Sequence, residues 1–245
     1  MNELLRELNP TEYSLELSDF LNLDERTIVV TKWNWDYKEA HRFQRQALEL
    51  VQKTPHLRIL ICCSHPEVLT NGRGLQKPRK GEVFDLVEFK QEEHASLPYS
   101  LVQVERGGGL TFHHPGQFIF YPIVKLNPKS LSLSSMIDQI FDFSIDVLKS
   151  WGIDGLHHNN KLLGLWHRER KLASMGIAIE KLTTFHGMAL NLSRNEEMIL
   201  ALKALNPCGL RAETYISVQE LLSLPEKAHD IFREQFLKRI QDEWK

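Results

Sequence analysis

Lys171-Leu172-Ala173-Ser174-Met175-Gly176-Ile177-Ala178-Ile179-Glu180-Lys181-Leu182-Thr183-Thr184-Phe185-His186-Gly187-Met188-Ala189-Leu190-Asn191-Leu192 is the stretch that decides the fold. Residues 171–180 and 183–192 are runs of strand length, separated only by Lys181 and Leu182. A two-residue connection predicts a hairpin, and consecutive pairing makes the sheet around it partly antiparallel. Upstream, residues 26–31 and 57–63 are short branched apolar runs, and between them Ala40, Phe43, Ala47, Leu50 and Val51 recur at helical spacing, which predicts a strand-helix-strand opening. Residues 101–105 and 116–126 read as further strands. A second helix is expected over 135–151, with Ser135 and Asp138 as its capping pair and Gly152 as its stop. Its inward stripe is Ile137, Ile140, Phe141, Val147, Leu148 and Trp151, broken by the small polar Ser144. Residues 71–100 are rich in Gly, Pro and charge and read as a long surface loop with a short helical piece at 84–91. The tail from Ser217, with Leu221, Leu222, Ile231, Phe232, Phe236 and Ile240 spaced around Pro225, reads as two packed helices. Together these elements make an α+β fold, a mixed β-sheet with helices packed on it.

The composition suits that fold. A chain of 245 residues, 42% of them hydrophobic, buries a full core as a single domain spanning 1–245. The net charge of -2 comes from interspersed acidic and basic residues, so neither nucleic acid nor a membrane is expected as a partner. The first residues lack a basic stretch followed by an apolar one, and no run approaches the roughly 18 apolar residues of a membrane span, so a cytoplasmic location is expected. Three cysteines, with Cys62 and Cys63 adjacent, make neither a disulfide framework nor a Cys-x-x-Cys zinc site.

The chemistry begins with Pro207-Cys208-Gly209 and the isolated Lys171. A free thiol has a pKa near ~8.5, and lowering it by about two units needs roughly 2.7 kcal/mol, which one partly desolvated ammonium supplies. A thiol and a lysine beside an acyl-sized pocket point to acyl transfer through a thioester that stays activated towards an amine. Taken alone, Cys208 is more often a small buried residue in a turn, and Lys171 a solvated charge. Arg106-Gly107-Gly108-Gly109 offers backbone without side-chain bulk next to a guanidinium, a loop that lets a chain pass close to a ligand. It lacks both the Gly-Lys-Ser/Thr ending and the Gly-x-Gly-x-x-Gly spacing of a phosphate loop. His113 and His114 are adjacent, point to opposite faces of a strand and are not expected to share a metal ion. His157 and His158 read as loop or surface residues, and His65 and His186 as satisfied structural histidines.

Several segments in one order resemble the lipoyl(octanoyl) transferase family. Arg106-Gly107-Gly108-Gly109-Leu110-Thr111-Phe112-His113-His114-Pro115-Gly116-Gln117 resembles the family's Arg-Gly-Gly-x-x-Thr-Tyr-His-Gly-Pro-Gly-Gln. Lys171-Leu172-Ala173-Ser174-Met175-Gly176 is similar to Lys-Ile-Ala/Cys-Ser-x-Gly, and Thr184-Phe185-His186-Gly187-Met188-Ala189-Leu190-Asn191 to Tyr/Phe-His-Gly-x-Ala-Leu-Asn. Asn206-Pro207-Cys208-Gly209-Leu210 is similar to Pro-Cys-Gly-Leu/Tyr, and His65-Pro66-Glu67-Val68-Leu69-Thr70-Asn71-Gly72 is a softer match to His-Pro-Pro-Val-Tyr/Phe-Thr-x-Gly. The motif-bearing core runs over about 60–212, with a helical tail over about 217–245.

The resemblance implies the fold of the lipoate and biotin ligase catalytic domain, no cofactor and no metal. It implies transfer of an octanoyl or lipoyl group from acyl carrier protein to a lysine of lipoyl domains, those of 2-oxoacid dehydrogenase complexes and the glycine cleavage H protein. Cys208 would carry the acyl-thioester and Lys171 would lower its pKa and handle protons. Arg106, Gly107, Gly108, Gly109, Leu110, Thr111, Phe112, His113, Ser174, Met175, Gly176, Gly187, Met188 and Ala189 would line the acyl site, with His65 and His186 supporting it from behind. Two departures stand out: His114 replaces a family glycine, which is expected to alter acyl fit, and the 71–100 loop is longer than the family's. An ATP-dependent lipoate or biotin ligase on the same fold and a non-catalytic acyl-binding relative remain as alternatives.

Overall fold

The hairpin forms as its spacing requires: β10 (Arg170–Glu180) pairs antiparallel with β11 (Thr183–Asn191), from Ala173 opposite Leu190 to Glu180 opposite Thr183. Its two turn residues, Lys181 and Leu182, both hold positive φ, 47° and 62°. That left-handed pair matches the twist of the strands, although the position normally favours Asn-Gly. The computed structural model describes residues 2–74, 99–159, 163–205 and 212–244. Cys208 and its 206–210 motif, the helical piece expected at 84–91 and most of the 71–100 loop lie outside the described residues.

The strand-helix-strand opening is β2 (Thr27–Lys32), α2 (Tyr37–Lys53) and β3 (Arg58–Cys63), with the two strands parallel. Asp36 caps α2 by accepting from Glu39 N at 3.0 Å. With β1 (Phe20–Asn22), β7 (Gln117–Ile123), β8 (Leu156–Asn159) and β9 (Gly164–His167), these strands and the hairpin build an eight-stranded sheet ordered β1-β2-β3-β7-β11-β10-β9-β8. Every pair in it except β2 and β3 is antiparallel. A second sheet, ordered β5-β4-β6, is made of β5 (Leu101–Gln103), β4 (Val68–Gly74) and β6 (Gly108–His113). The described helices also include α1 (Asn2–Leu8), α3 (Leu133–Ser150), α4 (Glu196–Leu205) and α5 (Ala228–Glu243).

Both faces of the large sheet are buried, which is why its central strands read as continuous apolar runs rather than as alternations. Ile59, Ile61, Ile119, Tyr121 and Phe185 face α2, where they pack with Ala40, Phe43, Ala47, Leu48 and Val51. Leu60, Phe118, Phe120, Met188 and Leu190 face α3 and α5. Phe232 of α5 lies 4.8 Å from Phe118 and Phe236 lies 4.9 Å from Phe120, centroid to centroid. Each fully buried ring of this kind is worth about 1.5–3 kcal/mol of transfer free energy. Ser144, the polar break in the α3 stripe, is buried and donates to Ile140 O at 2.8 Å, so its hydroxyl is satisfied within its own helix.

Several expectations are corrected. The cap of α3 is Ser132, whose Oγ accepts from Ser135 N at 3.1 Å, so the helix starts before the Ser135–Asp138 pair. Residues 71–74 belong to β4, and Gly108 and Gly109 open β6, because antiparallel pairing of these two strands outweighs the loop-like composition of both segments. His157 and His158 sit on the edge strand β8, with His158 stacked on Phe141 at 5.6 Å. The tail holds one helix, α5, preceded by a single 3-10 turn, Val218–Glu220, closed by a Ser217–Glu220 capping box. Leu221, Leu222 and Leu224 reach the core from irregular chain before Pro225.

Two substitutions test the hairpin from opposite sides. Gly187 has no room for a side chain, since a Cβ there would stand 2.1 Å from Phe120 O of the neighbouring strand. Gly187→Ala is expected to destabilise the chain by about 2 kcal/mol or more. Leu182→Gly, which relieves a left-handed residue that is 52% exposed, is expected to stabilise it by about 1 kcal/mol. Urea midpoints at constant slope measure both.

Candidate active site

A cavity of about 440 Å³ opens between the hairpin, β6, the first turns of α3 and Tyr215. Lys171 stands at one end of it, buried, with Nζ 5.8 Å from the centre of the Trp166 ring. Its direction comes from an irregularity in β10. Lys171 pairs with Trp166 and Ala173 with Leu165, so Leu172 is an extra residue, a bulge. Leu172 and Ala173 are successive, yet both sit in the core under α3 and α5. The bulge thereby turns Lys171 to the other face, towards the cavity. Its backbone is pinned by Ile216 N, which donates to Lys171 O at 3.0 Å, beside a bridge from Lys171 to Tyr215. That segment is tied in turn to the strands: Asn191 Nδ2 donates to Ile216 O, Gln117 Nε2 donates to Asn191 Oδ1 at 3.0 Å, and Gln117 Oε1 faces His113 Nδ1 at 3.1 Å.

The glycine-rich segment forms the opposite wall. Arg106 is buried and its guanidinium donates to Gly109 O, Gly107 O, Thr70 O and Thr70 Oγ1 at 2.7–3.1 Å. It folds the glycine run and joins it to β4, while Arg106 itself stays in the lining of the cavity. Its side chain crosses Gly176, where a Cβ would stand 3.0 Å from Arg106 Cδ and 3.1 Å from Gly107 O. Glycine is needed there for the wall to close.

The end of the cavity near α2 is lined by tyrosines and histidines. Tyr37, His113, Tyr121 and His186 line it, and His65 lies directly behind, its Nδ1 donating to Trp35 O at 2.8 Å and its Nε2 accepting from Tyr121 OH at 3.0 Å. Burial pushes His65 down to about 4 and His113 well below its ordinary value, and it raises the Tyr37 and Tyr121 hydroxyls. At neutral pH these groups are neutral dipoles that tolerate an acyl chain without demanding a counter-ion. His186 is held at φ 58°, a left-handed conformation inside a strand that costs on the order of 1–3 kcal/mol. It sets the His186 ring on the α2 face beside Phe185, with centroids 4.9 Å apart.

The cavity brings together Arg106, Gly107, Gly108, Gly109, Leu110, Thr111, His113, Lys171, Ser174, Met175, Gly176, Gly187, Met188 and Ala189. Phe112 is not in this lining and packs with Tyr99 and Leu69. His114, expected to alter the acyl fit, is buried outside the cavity lining and accepts from Gly116 N through Nδ1, so its imidazole closes a turn instead. Sequence reasoning missed Tyr37, Tyr121, Leu133, Leu163, Ile177 and Tyr215 as lining residues, and placed Ile137 only in the core stripe. They come from six separate segments and carry no local signal of convergence. Two thiols are described, Cys62 and Cys63. Both are buried, and burial pushes Cys62 up to about 12 and Cys63 well above its ordinary value, so neither is a nucleophile.

Comparison with known proteins agrees with this geometry. The pattern of the lipoyl protein ligase A/B catalytic domain matches residues 36–244. An octanoyltransferase of Syntrophobacter fumaroxidans is 33% identical over 81% of this chain and 82% of its own length. That of Bdellovibrio bacteriovorus is 29% identical over 84% of this chain and 93% of its own. Among solved structures, a lipoate-protein ligase A bound with ATP superimposes with a TM-score of 0.62 at 14% identity, covering 89% of this chain and 85% of that one. A bipartite lipoate protein ligase from Thermoplasma acidophilum gives 0.64 at 13% identity, covering 91% and 84%. At such identities the two structures speak for the fold alone.

The burial of Cys62 and Cys63 has a direct test. Ellman's reagent added to the native chain at about pH 8 is expected to titrate at most one thiol, and all three only after denaturation. A second fast native thiol would contradict the description.

Proposed function

Because the chain belongs to the lipoyl protein ligase A/B catalytic domain family, and within it to the octanoyltransferases, we propose that this acyltransferase carries its octanoyl group as a thioester on Cys208. The donor in this reading is octanoyl-acyl carrier protein, and the acceptor is a lysine of a lipoyl domain, in a 2-oxoacid dehydrogenase complex or the glycine cleavage H protein. A lipoyl group on the same donor follows the same route.

The observation that carries the reading is a buried Lys171 at the wall of a cavity with apolar side chains at Leu133, Ile137, Met175 and Met188. Its volume, about 440 Å³, lies within the roughly 300–1,000 Å³ of small-molecule sites. The other two thiols of the chain are buried and held protonated, which supports assigning the thioester to Cys208. Cys208 stands seven positions before Tyr215, the residue bridged to Lys171.

In the first step the Cys208 thiolate attacks the thioester carbonyl of the donor. A new C–S bond forms, the carrier's C–S bond breaks, and the carrier thiolate leaves and takes up a proton. In the second step the neutral amine of the acceptor lysine attacks the Cys208 thioester, the C–N bond forms, the C–S bond breaks, and the nitrogen gives up one proton as the thiolate is restored. The Lys171 ammonium favours the thiolate in both steps and relays these protons. A two-unit depression of the thiol requires roughly 2.7 kcal/mol. No nucleotide is consumed, because the donor thioester is already activated.

Intact mass after incubation with octanoyl-acyl carrier protein, without ATP, tests the scheme. Wild type is expected to gain one octanoyl group removable by hydroxylamine, Cys208→Ala to gain none, and Lys171→Ala to acylate at least about 100-fold more slowly. Absence of both the adduct and lipoyl-domain modification without ATP, with modification restored by ATP and free octanoate, would overturn it in favour of a ligase.

A further inference from the structure

His41, Glu105 and His186 converge from three separate elements, α2, the segment after β5, and β11. One ligating atom from each lies within 4.8 Å of the others. His41 Nε2 is 2.9 Å from Glu105 Oε2, and His186 Nε2 is 3.8 Å from the same oxygen. The first contact is within hydrogen-bond distance. The second is too long for a hydrogen bond, so His186 Nε2 is buried without a partner although its residue is only 1% exposed. Buried polar atoms with no partner are exceptions in folded proteins. This one is aimed at the two atoms that hold each other, and a strained left-handed backbone keeps it there.

We propose that His41, Glu105 and His186 form a binding site for a divalent first-row transition ion of the zinc type. Two imidazole nitrogens and one carboxylate oxygen are the donor set that such ions prefer, and three protein ligands leave a fourth position for water. Magnesium and calcium demand oxygen ligands and are excluded by the two imidazoles. On a tetrahedral ion with bonds near ~2.0 Å the ligand atoms stand roughly 3.3 Å apart. His41 and Glu105, with side chains 19% and 34% exposed, have the freedom to close that distance. The neighbouring Arg106 guanidinium is turned to the carbonyls of Thr70 and Gly109. The ion ties α2 to β11 and to the residue before Arg106, and so braces the polar end of the cavity.

Isothermal titration of the chelator-stripped full chain with zinc chloride tests the site, with Cys208→Ala run in parallel so that a thiolate is not counted as a ligand. One equivalent is expected to bind in both, to weaken about tenfold or more in Glu105→Gln and in His41→Asn, and to be absent with magnesium chloride. Zinc is also expected to raise the melting temperature of wild type more than that of the two variants, whose metal-free melting reports whether they fold. Zinc binding of equal affinity in both folded variants, or no binding to wild type at millimolar zinc, would overturn the proposal. These readouts contain no acyl transfer, so their failure leaves the reading of Cys208 untouched.

Discussion

A single extra residue in β10 governs the site. With regular pairing, Lys171 would share the face of Ala173 and point into the core beneath α3 and α5, where an ammonium is unaffordable. The bulge at Leu172 gives that core a leucine and an alanine in succession and turns the lysine to the cavity. The rest of the architecture holds the bulge in place. Ile216 bonds to the lysine's own carbonyl, and Asn191 and Gln117 lock that segment to β11 and β7. The register of the central strands thus reaches the lysine through backbone and carboxamide hydrogen bonds, each worth ~1 kcal/mol net but costly to leave unmade once buried.

Arg106 performs the matching task on the opposite wall. Its four donated bonds shape the glycine run, and its stem lies over Gly176 at a distance no side chain would allow. The two walls meet where Gly107 N donates to Ile177 O at 3.2 Å, and glycine appears at 107 and 176 because backbone passes backbone there. Between them the cavity is apolar at Leu133, Ile137 and Met188 and polar at Tyr37, Tyr121 and His113.

Much of the fold was legible as pattern. The 171–192 stretch yielded its hairpin, 26–63 its strand-helix-strand unit, and 135–151 its helix, because each element's period is written in consecutive residues. Strand β4 was hidden in a segment of loop-like composition, since pairing with β6 is a long-range choice. The tail's second helix was over-read, because apolar spacing around Pro225 fits irregular chain pressed on the core as well as it fits a helix.

The sequence by itself determined the class of fold, the buried faces and the residues that carry the family resemblance, because periodicity and short motifs are local properties. Only the tertiary structure decided which way Lys171 points, that Arg106 serves the backbone, that His114 leaves the cavity alone, and that His41, Glu105 and His186 meet. Those outcomes depend on a bulge, on buried carbonyls in need of donors and on a left-handed residue inside a strand. Such features follow from how distant segments compete for the same hydrogen bonds and the same space, and no single window of sequence contains that competition.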